Sequence, residues 1–106
     1  MVVNIIPEDL EEMIERENKP VIIDVRETFE YENGHIKGSI PIPMYEIFNN
    51  TEKLKEFKNK DIVLVCASGH RSYYTAKFLE EKGFKNLYNL YNGMNGWELA
   101  NNKIES

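Results

Sequence analysis

Two short apolar runs, Val21-Ile22-Ile23-Asp24-Val25 and Ile62-Val63-Leu64-Val65, do most to restrict the folds open to this chain. A strand with one wet face alternates apolar and polar residues. Runs that stay apolar at successive positions are covered on both faces, as the central strands of a parallel sheet are. Around them the pattern switches to helical spacing. Pro7 stands at a first helical position, with Glu8 and Asp9 suited to the positive end of a helix. Leu10, Met13 and Ile14 then recur at helical spacing, so the sequence predicts a helix from Pro7 to about Glu17.

The rest of the chain continues the alternation. Val2 to Ile6 reads as a first strand, and Phe29 to Glu32 as one helical turn. Ser39-Ile40-Pro41-Ile42-Pro43 allows only a brief strand, which its prolines assign to an edge. A helical stretch holds Ile47, Leu54 and Phe57. Another helix runs from about Arg71 to Lys82 and stops at Gly83, where a left-handed cap fits. Leu87 to Leu90 is a last strand, and Gly93 to about Asn101 a closing helix carrying Trp97. The expected fold is therefore α/β: a three-layer sandwich with a mostly parallel five-stranded sheet flanked by helices, in one domain over residues 1–106.

The 13 basic and 18 acidic residues leave a net charge of −5, which argues against nucleic acid or an anionic membrane surface as partner. No apolar run is long enough to span a membrane. One cysteine can form neither an internal disulfide nor a multi-cysteine zinc site, and the expectation is a reducing, cytoplasmic setting. Two histidines and scattered carboxylates show no metal-ligand spacing, so neither metal nor cofactor is expected.

The chemistry concentrates at that cysteine. Cys66-Ala67-Ser68-Gly69-His70-Arg71-Ser72 follows a buried strand directly and leads into a helix. In open α/β sheets, ligands bind beyond the carboxyl ends of the strands, which is where Cys66 falls. Backbone N–H groups of the loop and first helical turn form an anion cradle, and Arg71 at its rim adds a cation. Both stabilise a thiolate, the form that a nucleophilic cysteine needs. Without such neighbours a lone cysteine is read as a small buried hydrophobe.

With this loop in view, the chain resembles the rhodanese-like sulfurtransferases of single-domain type. Four blocks carry the likeness: Ile22 to Arg26, Glu30 to Pro43, Cys66 to Ser72, and Leu90 to Trp97. The resemblance implies transfer of sulfane sulfur through a persulfide on Cys66, in two covalent steps. The implied donor is a small anion such as thiosulfate. The implied acceptor is cyanide or a thiol, including one on a protein. Ala67, Ser68, Gly69, His70, Arg71 and Ser72 would contact the substrate. Asp24, Arg26 and His35 would support the loop by ion pairing and hydrogen bonding. Where many members have two glycines this chain has Asn92-Gly93, and Asn is the next most tolerant residue of positive φ.

Other readings compete. Cysteine-dependent phosphatases and arsenate reductases, some of this fold, place their arginine one position later, where this chain has Ser72. A non-catalytic docking module would commonly have lost the cysteine. A sulfur relay fed by a partner's persulfide would use the same loop. Arg71 has a plain alternative as a solvated arginine, although a cation at a helix start opposes the dipole. His70 is weighed as simply solvated, Ser72 as a cap, and Tyr73, Tyr74, Tyr88, Tyr91 and Trp97 as core and rim.

Overall fold

A computed structural model of the chain describes residues 1–100 and 102–106. Five strands form one sheet: β1 Val2–Ile5, β2 Val21–Asp24, β3 Ile40–Pro41, β4 Ile62–Val65 and β5 Leu87–Leu90. Their order is β1-β5-β4-β2-β3, and every neighbouring pair is parallel. The two apolar runs lie side by side in the middle, with Ile23 opposite Leu64 and Asp24 opposite Val65. β3 is the expected short edge, two residues long.

The helices are α1 Pro7–Glu15, α2 Thr28–Glu32, α3 Met44–Asn49, α4 His70–Glu81 and α5 Gly93–Leu99. Two separate cores show that they cover both faces of the sheet. Ile23, Leu64 and Leu87 pack with Ile47, Leu54, Ala76 and Leu79 on one side. Ile22, Val63 and Val65 pack with Leu10, Met13, Met94 and Trp97 on the other. Successive residues of β2 and β4 thus enter opposite cores, which is why these strands are apolar up to Asp24, the buried carboxylate that ends β2.

Several boundaries differ from expectation. Ile6 caps α1 rather than extending β1, and α1 ends two residues early, at Glu15. The helical stretch around Ile47 and Leu54 is two elements: Asn50 turns extended at φ −158°, and a 3-10 segment, Thr51–Phe57, follows it. Asn50 fits the break because its side chain accepts the Glu52 N–H at 3.0 Å, capping the second piece. α4 starts at His70, one residue before the sequence suggests, and Gly83 follows it at φ 95°. The closing helix is described to Leu99; its expected end at Asn101 lies outside the described residues.

After α5, described residues near the C-terminus contact the body of the domain at two points. The Trp97 indole N–H donates to the Lys103 carbonyl at 3.0 Å, and Glu105 pairs antiparallel with His35. Among the described residues no helix is long and apolar enough to cross a membrane.

Candidate active site

β2 connects outward to β3, while β4 connects outward to β5 on the opposite side. The connections therefore diverge between β2 and β4, and a crevice opens at the carboxyl ends of these two strands, the usual ligand position in such sheets. Cys66 leaves β4 at this point and Arg26 follows β2.

Cys66 is completely buried, yet its sulfur is surrounded by donors. The Gly69 N–H points at Sγ at 3.1 Å, the Ser72 N–H at 3.4 Å and the Ser72 hydroxyl at 3.3 Å. Gly69 bends the loop back over the sulfur at φ 95°, and a Cβ there would press on the Asn92 nitrogen at 3.1 Å. The two backbone donors belong to the start of α4, whose 12 residues also direct the positive end of their dipole at the sulfur.

Asn89, a buried polar residue on β5, fixes this cradle from below. Its amide nitrogen donates to the Gly69 carbonyl at 3.1 Å and to Asn4 Oδ1 at 3.0 Å, while its oxygen accepts from the Ser72 hydroxyl at 2.5 Å. A hydroxyl has one proton, so Ser72 serves either Asn89 or the sulfur at any instant. From the side, the first turn of α5 holds the loop by two backbone bonds, Met94 N–H to Cys66 O at 2.8 Å and Asn95 N–H to Ala67 O at 3.0 Å. That approach needs Gly93 at φ 49°, where any Cβ would overlap the Cys66 carbonyl. Asn92 before it adopts φ 63°, the conformation that the Asn-Gly pair has to supply.

Arg71 is not a free cation at the rim. Its guanidinium donates through both terminal nitrogens to the two carboxylate oxygens of Glu30 on α2, at 2.8 and 3.0 Å. Glu30 also accepts the Glu27 N–H at 2.9 Å as part of a capping box. The Arg71 hydrogen bonds hold the Glu30 carboxyl at a pKa of about 2, well below its ordinary 4.5. The same pairing raises Arg71 above its usual value, so both groups carry full charge. Glu30 also compensates the unfavourable placement of a cation in the first turn of α4.

The other loop residues sit further out. Ala67 is half-buried; Ser68 and His70 are exposed, with Ser68 Oγ and His70 Nδ1 3.1 Å apart. Asp24 and Arg26 form a buried ion pair with bonds of 2.9 Å from both Nε and a terminal nitrogen, and Arg26 donates onward to the Gly34 carbonyl at 2.7 Å. His35 stacks on Tyr31 with ring centroids 3.7 Å apart, its Nδ1 2.8 Å from the Tyr31 carbonyl. Asp24 and Arg26 thus end β2 beside the strand that carries Cys66, whereas His35 follows α2 and bridges to Glu105. Of the tyrosines expected at core and rim, Tyr88 is half-buried and packs against the second core, Tyr73 is half-buried, and Tyr74 and Tyr91 are exposed. A groove of about 580 Å³ lined by Ile14, Ile36, Lys37 and Trp97 includes no residue of the cysteine loop.

Sequence reasoning assigned no role to Glu30 or Asn89. Asn89 left a trace, a polar residue between Leu87 and Leu90 in a strand that is otherwise apolar or aromatic. Glu30 opens the second block of the family resemblance, but its pairing with Arg71 left no trace, because that partner is 41 residues away.

A parallel α/β domain that ends its central strand on a cradled thiol defines a small class of proteins. Within that class, the family profile described as rhodanese-like domain matches residues 6–100, and the chain belongs to that family. The Bacillus subtilis protein named "Putative sulfurtransferase YtwF" is 40% identical over 89 residues, which are 84% of either chain. "Putative sulfur carrier protein YrkF" of the same organism is 41% identical over 76 residues, 72% of this chain but 40% of that protein, so this chain matches less than half of it. The crystal structure of a rhodanese-related protein from Thermoplasma volcanium has a TM-score of 0.86 at 30% identity, covering 97% of both chains.

Proposed function

We propose that this protein is a sulfurtransferase working through a persulfide on Cys66. The observation that carries the reading is the convergence of Gly69 N–H, Ser72 N–H and the Ser72 hydroxyl on one sulfur at the head of α4. These dipoles are in place before reaction and favour a negative charge at that point. Both the attacking thiolate and the persulfide carry such a charge.

In the loading step the Cys66 thiolate attacks the outer sulfur of the donor. The new S–S bond forms as the donor's own bond to that sulfur breaks, and its electron pair leaves with the remainder. With thiosulfate the products are the Cys66 persulfide and sulfite. In the second step cyanide or a thiol attacks the outer sulfur, regenerating the thiolate. Cycling between two enzyme forms predicts ping-pong kinetics. The complete burial of Cys66 means that the loop residues at its mouth, Ala67, Ser68 and His70, have to give way to the donor.

The reading is supported by the sulfurtransferase and sulfur-carrier names of the relatives. The phosphatase alternative is disfavoured by the loop count, since the arginine stands at position 71 and position 72, where those enzymes place theirs, is Ser. Intact mass after incubation with thiosulfate, and again after cyanide, tests the proposal. The expected result is gain and loss of one sulfur atom, absent in Cys66→Ala. A sulfur retained by Cys66→Ala would overturn it.

A further inference from the structure

Asn89 is a polar side chain within β5, only 2% exposed, in register with Asn4 on β1 and Leu64 on β4. An amide so deeply buried is costly unless its groups are paired. The Gly69 carbonyl settles which way this one points, because a carbonyl can only accept. The Asn89 nitrogen therefore faces Gly69 O at 3.1 Å and Asn4 Oδ1 at 3.0 Å. Its oxygen is left facing the Ser72 hydroxyl at 2.5 Å, where it too can only accept. The single hydroxyl proton of the fully buried Ser72 thus points at Asn89, and its lone pairs face Cys66 Sγ at 3.3 Å.

Building on the reading of Cys66 as the reacting thiol, we propose that Asn89 is a positioning residue that acts through Ser72, holding its hydroxyl as an acceptor for the thiol and releasing it as a donor to the thiolate. In the thiol form, S–H donates to Ser72 Oγ and the hydroxyl donates to Asn89. When the thiol gives its proton to solvent, the hydroxyl turns to the sulfur anion and the Asn89 oxygen loses a partner. The Gly69 and Ser72 N–H groups are fixed by the backbone and aim at Sγ in both forms. The hydroxyl is the donor that can turn, and Asn89 competes for it. Asn89 thereby opposes the thiolate by the worth of one hydrogen bond. The charges around the sulfur are separate from this switch. Arg71 acts on Cys66 from α4 with Glu30 paired to it, and Asp24 and Arg26 pair at the end of β2. His70 is exposed beside Ser68, Tyr88 of β5 packs in the opposite core, and Gly93 to Gly96 at the head of α5 carry no charge.

The wild-type protein carries one test, because the side-chain carbonyl carbon of Asn89 reports on its own hydrogen bond. NMR of isotopically labelled protein follows that signal against pH, beside the ultraviolet absorbance of the Cys66 thiolate. The two should move together, and the Asn89 signal should stay still in Cys66→Ala. A thiolate that forms while Asn89 stays unchanged would overturn the inference. A double-mutant cycle supplies the other test, read as the pH profile of Cys66 alkylation by iodoacetamide. Asn89→Leu keeps the bulk of the side chain and leaves the Gly69 carbonyl its bond from the Tyr73 N–H at 3.3 Å. It also frees the hydroxyl for the sulfur. The alkylation rate on the acidic limb, relative to the alkaline plateau, should rise about tenfold, the scale of one hydrogen bond no longer broken. In a Ser72→Ala background the same substitution should leave the profile where it was. An equal shift with and without the hydroxyl would make Asn89 a support for the loop and overturn the inference. Neither readout uses a sulfur donor. Failure of either in a protein that gains its sulfur normally overturns the switch alone. A Cys66 that neither ionises nor gains sulfur overturns the persulfide reading and this inference with it.

Discussion

Gly93 is the point where the fold touches the chemistry most closely, and Gly93→Ala gives the sharpest test of that contact. Two costs add there. The residue sits at φ 49°, where a Cβ is strained, and that Cβ would overlap the Cys66 carbonyl oxygen while lying 2.8 Å from the Ala67 carbonyl carbon and oxygen. These are backbone atoms pinned by the Met94 and Asn95 bonds, so they cannot swing aside as a side chain would. Gly38→Ala is the control, since Gly38 has φ 84° but nothing within 4 Å of its missing Cβ. Strain alone should cost about 1 kcal/mol at Gly38. Overlap in a packed region adds roughly 1–3 kcal/mol, and rigid backbone puts Gly93 at the upper end. We therefore expect about 1 kcal/mol for Gly38→Ala and about 3–4 kcal/mol for Gly93→Ala, read from urea midpoints at unchanged m-value. For a domain of this size each kcal/mol lowers Tm by roughly 4–8 °C. The loop can also relieve the overlap by retreating from α5, which would uncover the sulfur; an aromatic disulfide reagent should then modify Cys66 faster than in wild type. Equal destabilisation of the two variants, with Cys66 equally protected, would refute the view that α5 holds the cysteine loop through Gly93.

Further expectations are narrower. Cys66→Ala should retain the cooperative unfolding transition and lose sulfur uptake altogether, read by circular dichroism and intact mass. Asp24→Ala strands the Arg26 cation in a site where it is only 7% exposed, and should cost about 3–5 kcal/mol in urea unfolding; a loss below about 1 kcal/mol would show that Arg26 finds water instead. Glu30 has a folded-state pKa of about 2 against 4.5 ordinarily, so its ion pair stabilises the protein above pH 4.5 and that contribution fades as pH falls toward 2. The stability difference between wild type and Glu30→Gln should shrink over that interval, and a difference constant with pH would contradict the pairing.

The parts of this molecule that follow from local rules were legible in the sequence. Apolar runs, broken only by Asp24, marked the central strands, since a residue covered from either side is apolar or, like Asp24, paired. Pro7 and Gly83 marked helix ends through backbone geometry alone. The loop after Ile62–Val65 declared a thiol at a strand terminus, where an α/β sheet leaves its crevice. Where two local signals competed, the boundary moved. The stretch from Met44 to Phe57 kept helical spacing across Asn50, but Asn50 offers its own side chain as a cap, and that ends one element and starts another.

Long-range pairing had no such signature, and here the difference bears on function. Arg71 in the first turn of α4 is unfavourable by dipole reasoning, and an unfavourable placement invites the inference that the cation serves a substrate. The structure supplies another compensation, a carboxylate from α2 that reaches both guanidinium nitrogens. Glu30 is itself fixed twice, by Arg71 and by the Glu27 N–H it caps. A carboxylate so restrained loses little freedom on pairing, which favours a persistent ion pair over the loose contacts common at surfaces. The Arg71 charge that the sequence displays at the mouth of the site is thus paired with a carboxylate, while the guanidinium keeps N–H groups that Glu30 does not use and still acts on Cys66.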